Sequence, residues 1–220
     1  MKKGAASAGP ADADRARALQ LTPVSRETAA RLDRFANLLS HWQNSINLVS
    51  PATLPHLWTR HIADSLQLLA LVEAPKIWVD LGSGGGFPGI PVAAALAGTP
   101  GVEVHLVESN RKKAAFLREA VRVTGAPAKV HAMRIEDFVA GFSGRADVVS
   151  ARALAPLKGL LDAAYPLLKT GAAGLFPKGQ DVDAELTEAA KCWKFEHELI
   201  PSLTSPEGQV VVIRNPARVP

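Results

Sequence analysis

A single cysteine, Cys192, stands in this chain of 220 residues, so no disulfide can close within it, which suits a reducing compartment. Only Lys191 and Lys194 stand near enough in sequence to activate it, and its simplest reading is a buried or half-buried thiol. There is no CxxC pair, no HExxH and no cluster of histidines, so no metal site is expected. No apolar run approaches the roughly 20 residues that a membrane helix needs. Lys2 and Lys3 have no apolar stretch behind them, so the start does not read as a signal peptide. These absences lead to the expectation of a cytoplasmic chain with no membrane partner. The nucleophile elbow G-x-S-x-G is also missing, because Leu81 stands where its first glycine would precede Ser83.

What is present is a globular composition, with 47% apolar residues and length for one sizeable core plus a small extension. The net charge of +4 leans toward an acidic partner such as nucleic acid, though mildly. The stretch around which the rest is organised is Asp80-Leu81-Gly82-Ser83-Gly84-Gly85-Gly86-Phe87-Pro88-Gly89-Ile90-Pro91. A short apolar run, Ile77-Trp78-Val79, precedes it as a strand, and Val92 to Ala97 follows as a helix. Glycines on a strand-to-helix turn let a nucleotide-like ligand approach the backbone without meeting a Cβ. A literal G-x-G-x-x-G is present at Gly84, Gly86 and Gly89, but the fuller register is acid-x-Gly-x-Gly-x-Gly: Asp80, Gly82, Gly84, Gly86. That pattern resembles the first motif of Rossmann-like methyltransferases. Their sulfonium ligand, S-adenosylmethionine, has no pyrophosphate to cradle, and its positive sulfur and amino-acid end suit a carboxylate at the strand end.

Residues 1–20 show no sustained apolar periodicity and read as a mobile tail. Ser25 suits a helix N-cap, and Leu32, Phe35, Leu39, Trp42 and Ile46 then mark one face of an amphipathic helix. After a loop at Asn44, Asn47 and Ser50-Pro51, a second helix is expected from about Pro55 to Leu71. The helical extension is drawn over 21–75 and the catalytic core over 76–216. From Ile77 the chain alternates strand and helix, and Trp193 to Leu199 with Gln209 to Ile213 reads as a closing antiparallel pair. The fold class is therefore α/β: a Rossmann-like, doubly wound, mostly parallel sheet.

Glu108 ends the strand after the glycine turn, where an acid can accept both ribose hydroxyls of an adenosyl or NAD ligand. Ile135, Glu136 and Asp137 follow the third strand, where they can read an adenine edge or simply start a helix. Arg152 follows the fourth, facing a ligand carboxylate, a substrate phosphate or only solvent. Arg60, His61 and Asp64 fall at i,i+3 and i,i+4 spacings and can touch one another, either as part of a site or as a local tie to the sheet. Between Arg111 and Arg134 there are seven Lys or Arg and one acid, Glu119, a candidate phosphate-contacting face or a solvated one. Lys178-Gly179-Gln180 adds a basic loop near the same crevice.

Several stretches together resemble one family, the bacterial small-subunit ribosomal RNA methyltransferase G, also called glucose-inhibited division protein B. They are Trp42 with Asn44 and Asn47-Leu48, Arg60-His61-Ile62-Ala63-Asp64-Ser65, Asp80 to Pro91, Leu106-Val107-Glu108-Ser109 with Lys112-Lys113 and Phe116-Leu117, Ser150-Arg152-Ala153 and Lys178-Gly179. The resemblance implies methyl transfer from S-adenosylmethionine to N7 of a guanosine in 16S rRNA, free or within the small ribosomal subunit. It carries cofactor binding onto Gly82, Phe87, Ile135, Glu136 and Arg152, beside Asp80, Gly84, Gly86 and Glu108 from the turn itself. His61, Asp64 and Arg152 are then expected to position the substrate, in a chain acting as a monomer. Guanine N7 has a free lone pair, so no general base is required. Two rival readings are an NAD-dependent oxidoreductase on a similar fold, separated by binding of NADH rather than S-adenosylhomocysteine, and a methyltransferase for a small molecule. A third is an RNA-binding module with a decayed cofactor site, which the intact run from Asp80 to Gly89 argues against.

Overall fold

A computed structural model describes residues 9–219. Seven strands form one sheet in the order β3-β2-β1-β4-β5-β7-β6. They are β1 (Ile77–Leu81), β2 (Glu103–Val107), β3 (Ala128–His131), β4 (Val148–Ser150), β5 (Ala173–Lys178), β6 (Trp193–Pro201) and β7 (Gln209–Arg218). The first five are parallel. β7 returns antiparallel to β5, and β6 closes the edge antiparallel to β7. The chain builds outward from β1 through β2 to β3, then crosses back to place β4 on the other side of β1. That reversal opens a crevice at the carboxyl ends of β1 and β4, the usual ligand position in such sheets.

Both faces are covered. The helices are α1 (Pro10–Leu21), α2 (Arg26–Gln43), the single turn α3 (Asp64–Leu66), α4 (Gly89–Ala95), α5 (Arg111–Thr124), α6 (Ile135–Gly141), α7 (Leu157–Leu168) and α8 (Val182–Ala190). One core joins α2, α4 and α5 to Trp78, Val104 and Leu106 of the sheet; the other joins α6, α7 and α8 to Val79, Leu81 and Val149. The alternation of Trp78 and Asp80 against Val79 and Leu81 is the period-2 geometry of a strand buried on both faces. The apolar stripe of α2 meets α5 and the glycine turn: Phe35 lies 5.3 Å from Phe87 and 6.2 Å from Phe116 between ring centroids. Ser25 caps α2 by accepting from Thr28 N–H.

Two sequence expectations need correction. Residues 1–8 lie outside the described residues, but 10–21 are not a tail. They form α1, anchored by polar contacts that apolar periodicity does not register. Asp14 is buried and accepts from the N–H groups of Trp58 and Thr59 and from the Thr59 hydroxyl. Arg15 forms a two-pronged ion pair with Asp33 of α2, at 2.7 and 2.8 Å. The second helix is also not one regular helix. Pro51–His56 is a 3₁₀ turn, Trp58–Ala63 a π-helical turn, then α3, then 3₁₀ at Gln67–Leu71. The wider π turn re-aims Arg60, His61 and Asp64 and is the kind of irregularity that gathers at functional sites.

Candidate active site

β1 ends in the glycine turn. Gly82 and Gly84 have φ of +68° and +52°, a region that side chains rarely adopt, so glycine is required for the backbone to fold back here. Glu108, immediately after β2, ties the turn down: Gly84 N–H donates to its Oε2 at 2.9 Å and Asn110 N–H to its Oε1 at 2.7 Å. Each carboxylate oxygen keeps a lone pair for a ligand hydroxyl. Above the turn is a cavity of about 490 Å³ whose walls include Gly82, Gly84, Phe87, Glu108, Ile135 and Glu136. This volume is in the range of small-ligand sites.

Asp80 and Gly86 stand beneath the walls of this cavity and not among them. Asp80 is fully buried; its Oδ2 accepts from Gly89 N–H at 3.2 Å and its Oδ1 from the Ser150 hydroxyl at 2.8 Å. Ser150 in turn accepts from the Trp78 indole N–H. Asp80 therefore links β1, β4 and the start of α4 from beneath the turn. Burial pushes its carboxyl up to about 6 against the pull of Ser150, Ser83 and Gly89. Gly86, at φ +89°, lets the turn press against Ile90 and Phe35.

A second cavity of about 700 Å³ adjoins the first, and Leu48, Arg152, Ala153 and Leu154 line both. Arg152, just after β4, donates to Asp64 Oδ2 and to the Arg60 carbonyl, both at 3.2 Å, and to His61 Nδ1. Its guanidinium also stands 5.1 Å from the centre of the Phe87 ring. The structure thus brings His61, Asp64 and Arg152 together. The link runs through Arg152, not along the helix as the i,i+3 and i,i+4 spacings suggested. Because an arginine only donates, His61 Nδ1 must accept, leaving its Nε2–H to donate to Thr53 Oγ1 at 2.8 Å. Burial, then the charges of Arg152 and Arg60, push His61 down to about 3, so it is neutral near pH 7. Asp64 takes further bonds from the Thr204 hydroxyl and Gln67 Nε2, both at 2.8 Å.

Thr204 and Gln67, with Leu154, carry no motif and are missed by sequence reading; Thr204 reaches Asp64 across 140 residues, which no local signal encodes. Lys178 is not a free basic group of the crevice. It pairs with Glu185 at 2.7 Å and donates to the Ala155 carbonyl, while Glu185 also accepts from Leu157 N–H.

The family model for rRNA small subunit methyltransferase G matches residues 28–211. The chain belongs to this family. A relative from Bradyrhizobium sp. (strain BTAi1 / ATCC BAA-1182), named ribosomal RNA small subunit methyltransferase G, is 64% identical over 201 residues, covering 91% of this chain and 90% of its own. Among solved structures, the O-methyltransferase from Bacillus cereus in complex with SAH has a TM-score of 0.60 at 12% identity, covering 92% of this chain and 97% of that one. The O-methyltransferase TomG from Streptomyces achromogenes in complex with SAM also has 0.60, at 14% identity, covering 92% and 96%. At such identities the likeness is one of fold: the family's chain is built on the Rossmann-like methyltransferase architecture. Among the described residues no helix is long and apolar enough to cross a membrane.

Proposed function

We propose that this protein transfers a methyl group from S-adenosylmethionine to N7 of a guanosine in 16S rRNA, as free RNA or within the small subunit. The observation that carries the reading is the shared wall: a cavity built on the glycine turn and Glu108 opens beside one organised by Arg152, His61 and Asp64. S-adenosylmethionine supplies an electrophilic sulfonium methyl. The residues present fit it. Glu108 offers one free lone pair per oxygen to a ribose diol, Gly82 and Gly84 leave the backbone open, and Ile135 and Glu136 flank the place for an adenine. Arg152 faces both cavities and has N–H groups to spare beyond its three partners.

N7 is an sp² nitrogen whose lone pair needs no deprotonation, so the site's task is alignment and water exclusion. His61 is suited to that task and not to proton transfer, since its only basic nitrogen is held by Arg152. As N7 gains a methyl, the purine gains positive charge. Asp64 offsets the charge of Arg152, so the pocket need not repel the cationic ring. The acting form in this reading is a monomer, in the cytoplasm where ribosomes are.

The test is incubation with radiolabelled S-adenosylmethionine and small ribosomal subunits lacking native methylation, followed by mapping of the label. Label on one guanine N7 of 16S rRNA is expected. Binding of S-adenosylhomocysteine with no transfer to subunits or free rRNA would sink the substrate assignment and leave a small-molecule acceptor. Binding of NADH instead would favour an oxidoreductase.

A further inference from the structure

The methyl group must pass from the first cavity to the second, so whatever lines both sets the passage. Three of the four shared residues are small or fixed. The Leu48 carbonyl lies against Gly85, where an added Cβ would come within 2.6 Å of it, and Leu48 N–H is held by Gln43 Oε1. Arg152 is held by Asp64 and His61. Ala153 carries only a methyl. Leu154 is different: a large apolar side chain left 39% exposed where the two cavities meet.

Its placement is built. Ala153 has φ +52°, a strained value for a residue with a Cβ, of the kind that persists only where the surroundings over-determine it. The loop is pinned on both sides of that residue, by Arg152 before it and by the Lys178–Ala155 and Glu185–Leu157 bonds after it. The strained residue turns Leu154 onto the glycine turn. A Cβ on Gly82 would come within 2.7 Å of Leu154 Cδ1, so the isobutyl group lies directly over the Gly82 backbone.

We propose that Leu154 is a positioning residue: an apolar partition between the cofactor and substrate cavities that sets the aperture for the methyl and keeps water from it. This rests on the methyl-transfer reading above. In the step it serves, the N7 lone pair forms the new N–C bond while the C–S bond breaks and its electron pair returns to sulfur. Such a displacement needs the three atoms in line and close, and a small misplacement at the aperture costs rate more than affinity.

The test compares wild type, Leu154→Ala and Leu154→Met for methyl transfer to undermethylated small subunits, with S-adenosylhomocysteine binding by calorimetry and a thermal melt for each. Expected for Leu154→Ala is a fall in kcat of about 10- to 100-fold, with cofactor affinity and KM for subunits within about threefold and an unchanged melt. Leu154→Met, of similar volume, should recover most of the rate. An alanine variant with at least half the wild-type kcat overturns the inference while leaving the function standing. So does a loss of rate matched by an equal loss of cofactor affinity, or a methionine variant as slow as alanine. A wild-type chain that transfers nothing to subunits removes the function and this inference together.

Discussion

Replacing Glu108 by Gln changes one oxygen to an NH₂ group and removes a charge, with almost no change in shape. In the structure both oxygens are in use, one for Gly84 N–H and one for Asn110 N–H. The amide has one acceptor for two donors, so one N–H faces another donor. A hydrogen bond to a charged group contributes about 1.5–3 kcal/mol, and this one is largely shielded from water. A chain of this size loses roughly 2–4 °C of Tm per kcal/mol, so the variant should melt about 3–12 °C lower. The proposed ribose contact loses an anionic acceptor as well, and S-adenosylhomocysteine should bind roughly 10- to 100-fold more weakly, or about 1.4–2.8 kcal/mol. Differential scanning fluorimetry and titration calorimetry on the same preparations measure the two effects. A lower Tm with unchanged affinity would leave Glu108 as a tie for the turn and refute its place in the cofactor site. Unchanged values of both would refute the turn argument too.

Gly89→Ala should destabilise the fold by about 1–3 kcal/mol even though alanine is the better helix former: the new Cβ would run into Leu106 Cδ2 and come within 2.7 Å of Asp80 Oδ2. Urea unfolding reads this, and a variant as stable as wild type would refute it. The His61 imidazole should stay neutral from pH 5 to 9, seen as an invariant Cε1–H shift by NMR; in Arg152→Ala its pKa should rise above about 3 yet stay below 6.5, because burial, the larger cause, persists. Since His61 is depressed in the fold, its contribution to stability is full above about pH 6.5 and is lost as pH falls toward 3. Asp80 runs the other way. Its raised pKa gives a contribution that is full below about pH 4 and lost as pH rises through about 6, so wild type should lose ground to Asp80→Asn over that window in pH-dependent unfolding. Asp14→Ala should leave Trp58 and Thr59 N–H groups without an acceptor and weaken the docking of α1 by about 2 kcal/mol. Hydrogen exchange over 10–21 should then speed up roughly 30-fold, and unchanged protection would show that α1 is held by other means.

The alternation of strands and helices, the antiparallel closing pair and the glycine turn were legible because each has a local period or a fixed backbone demand. Glu108 was legible because strand ends in such a sheet have a known place relative to the turn. The buried ties of Asp80 are not legible for a definite reason: an acid before Gly-x-Gly has the same sequence signature whether it faces a ligand or holds the turn from below. Only burial and its partners, Gly89 and Ser150, separate the two. The helix α1 was missed because its anchors are Asp14 and Arg15, whose partners lie 44 and 18 residues away. Lys178 reads as a basic loop because its partner Glu185 and the Ala155 carbonyl it holds come from two other segments, α8 and the loop after β4.

What local patterns could not show is that Asp64 is a junction. Its carboxylate takes Arg152 from the loop after β4, Gln67 from its own segment and Thr204 from the hairpin between β6 and β7. Three stretches far apart in sequence therefore meet on two oxygens, at one wall of the larger cavity. The carboxylate that holds Arg152 at the shared wall is thereby tied to the C-terminal hairpin as well as to its own segment. The antiparallel pair is then more than an edge cover for the sheet, because its hairpin supplies a donor to the carboxylate that pairs with Arg152. Thr204→Val tests this step. It removes one hydroxyl donor to Asp64 without touching either cavity's charge. If the junction argument is right, the variant should slow methyl transfer several-fold, about the effect of losing one hydrogen bond of 1 kcal/mol, while S-adenosylhomocysteine binding in the neighbouring cavity stays as it was. A rate equal to wild type would show that Asp64 is held without Thr204, by Arg152, Gln67 and Ser202 of the same hairpin.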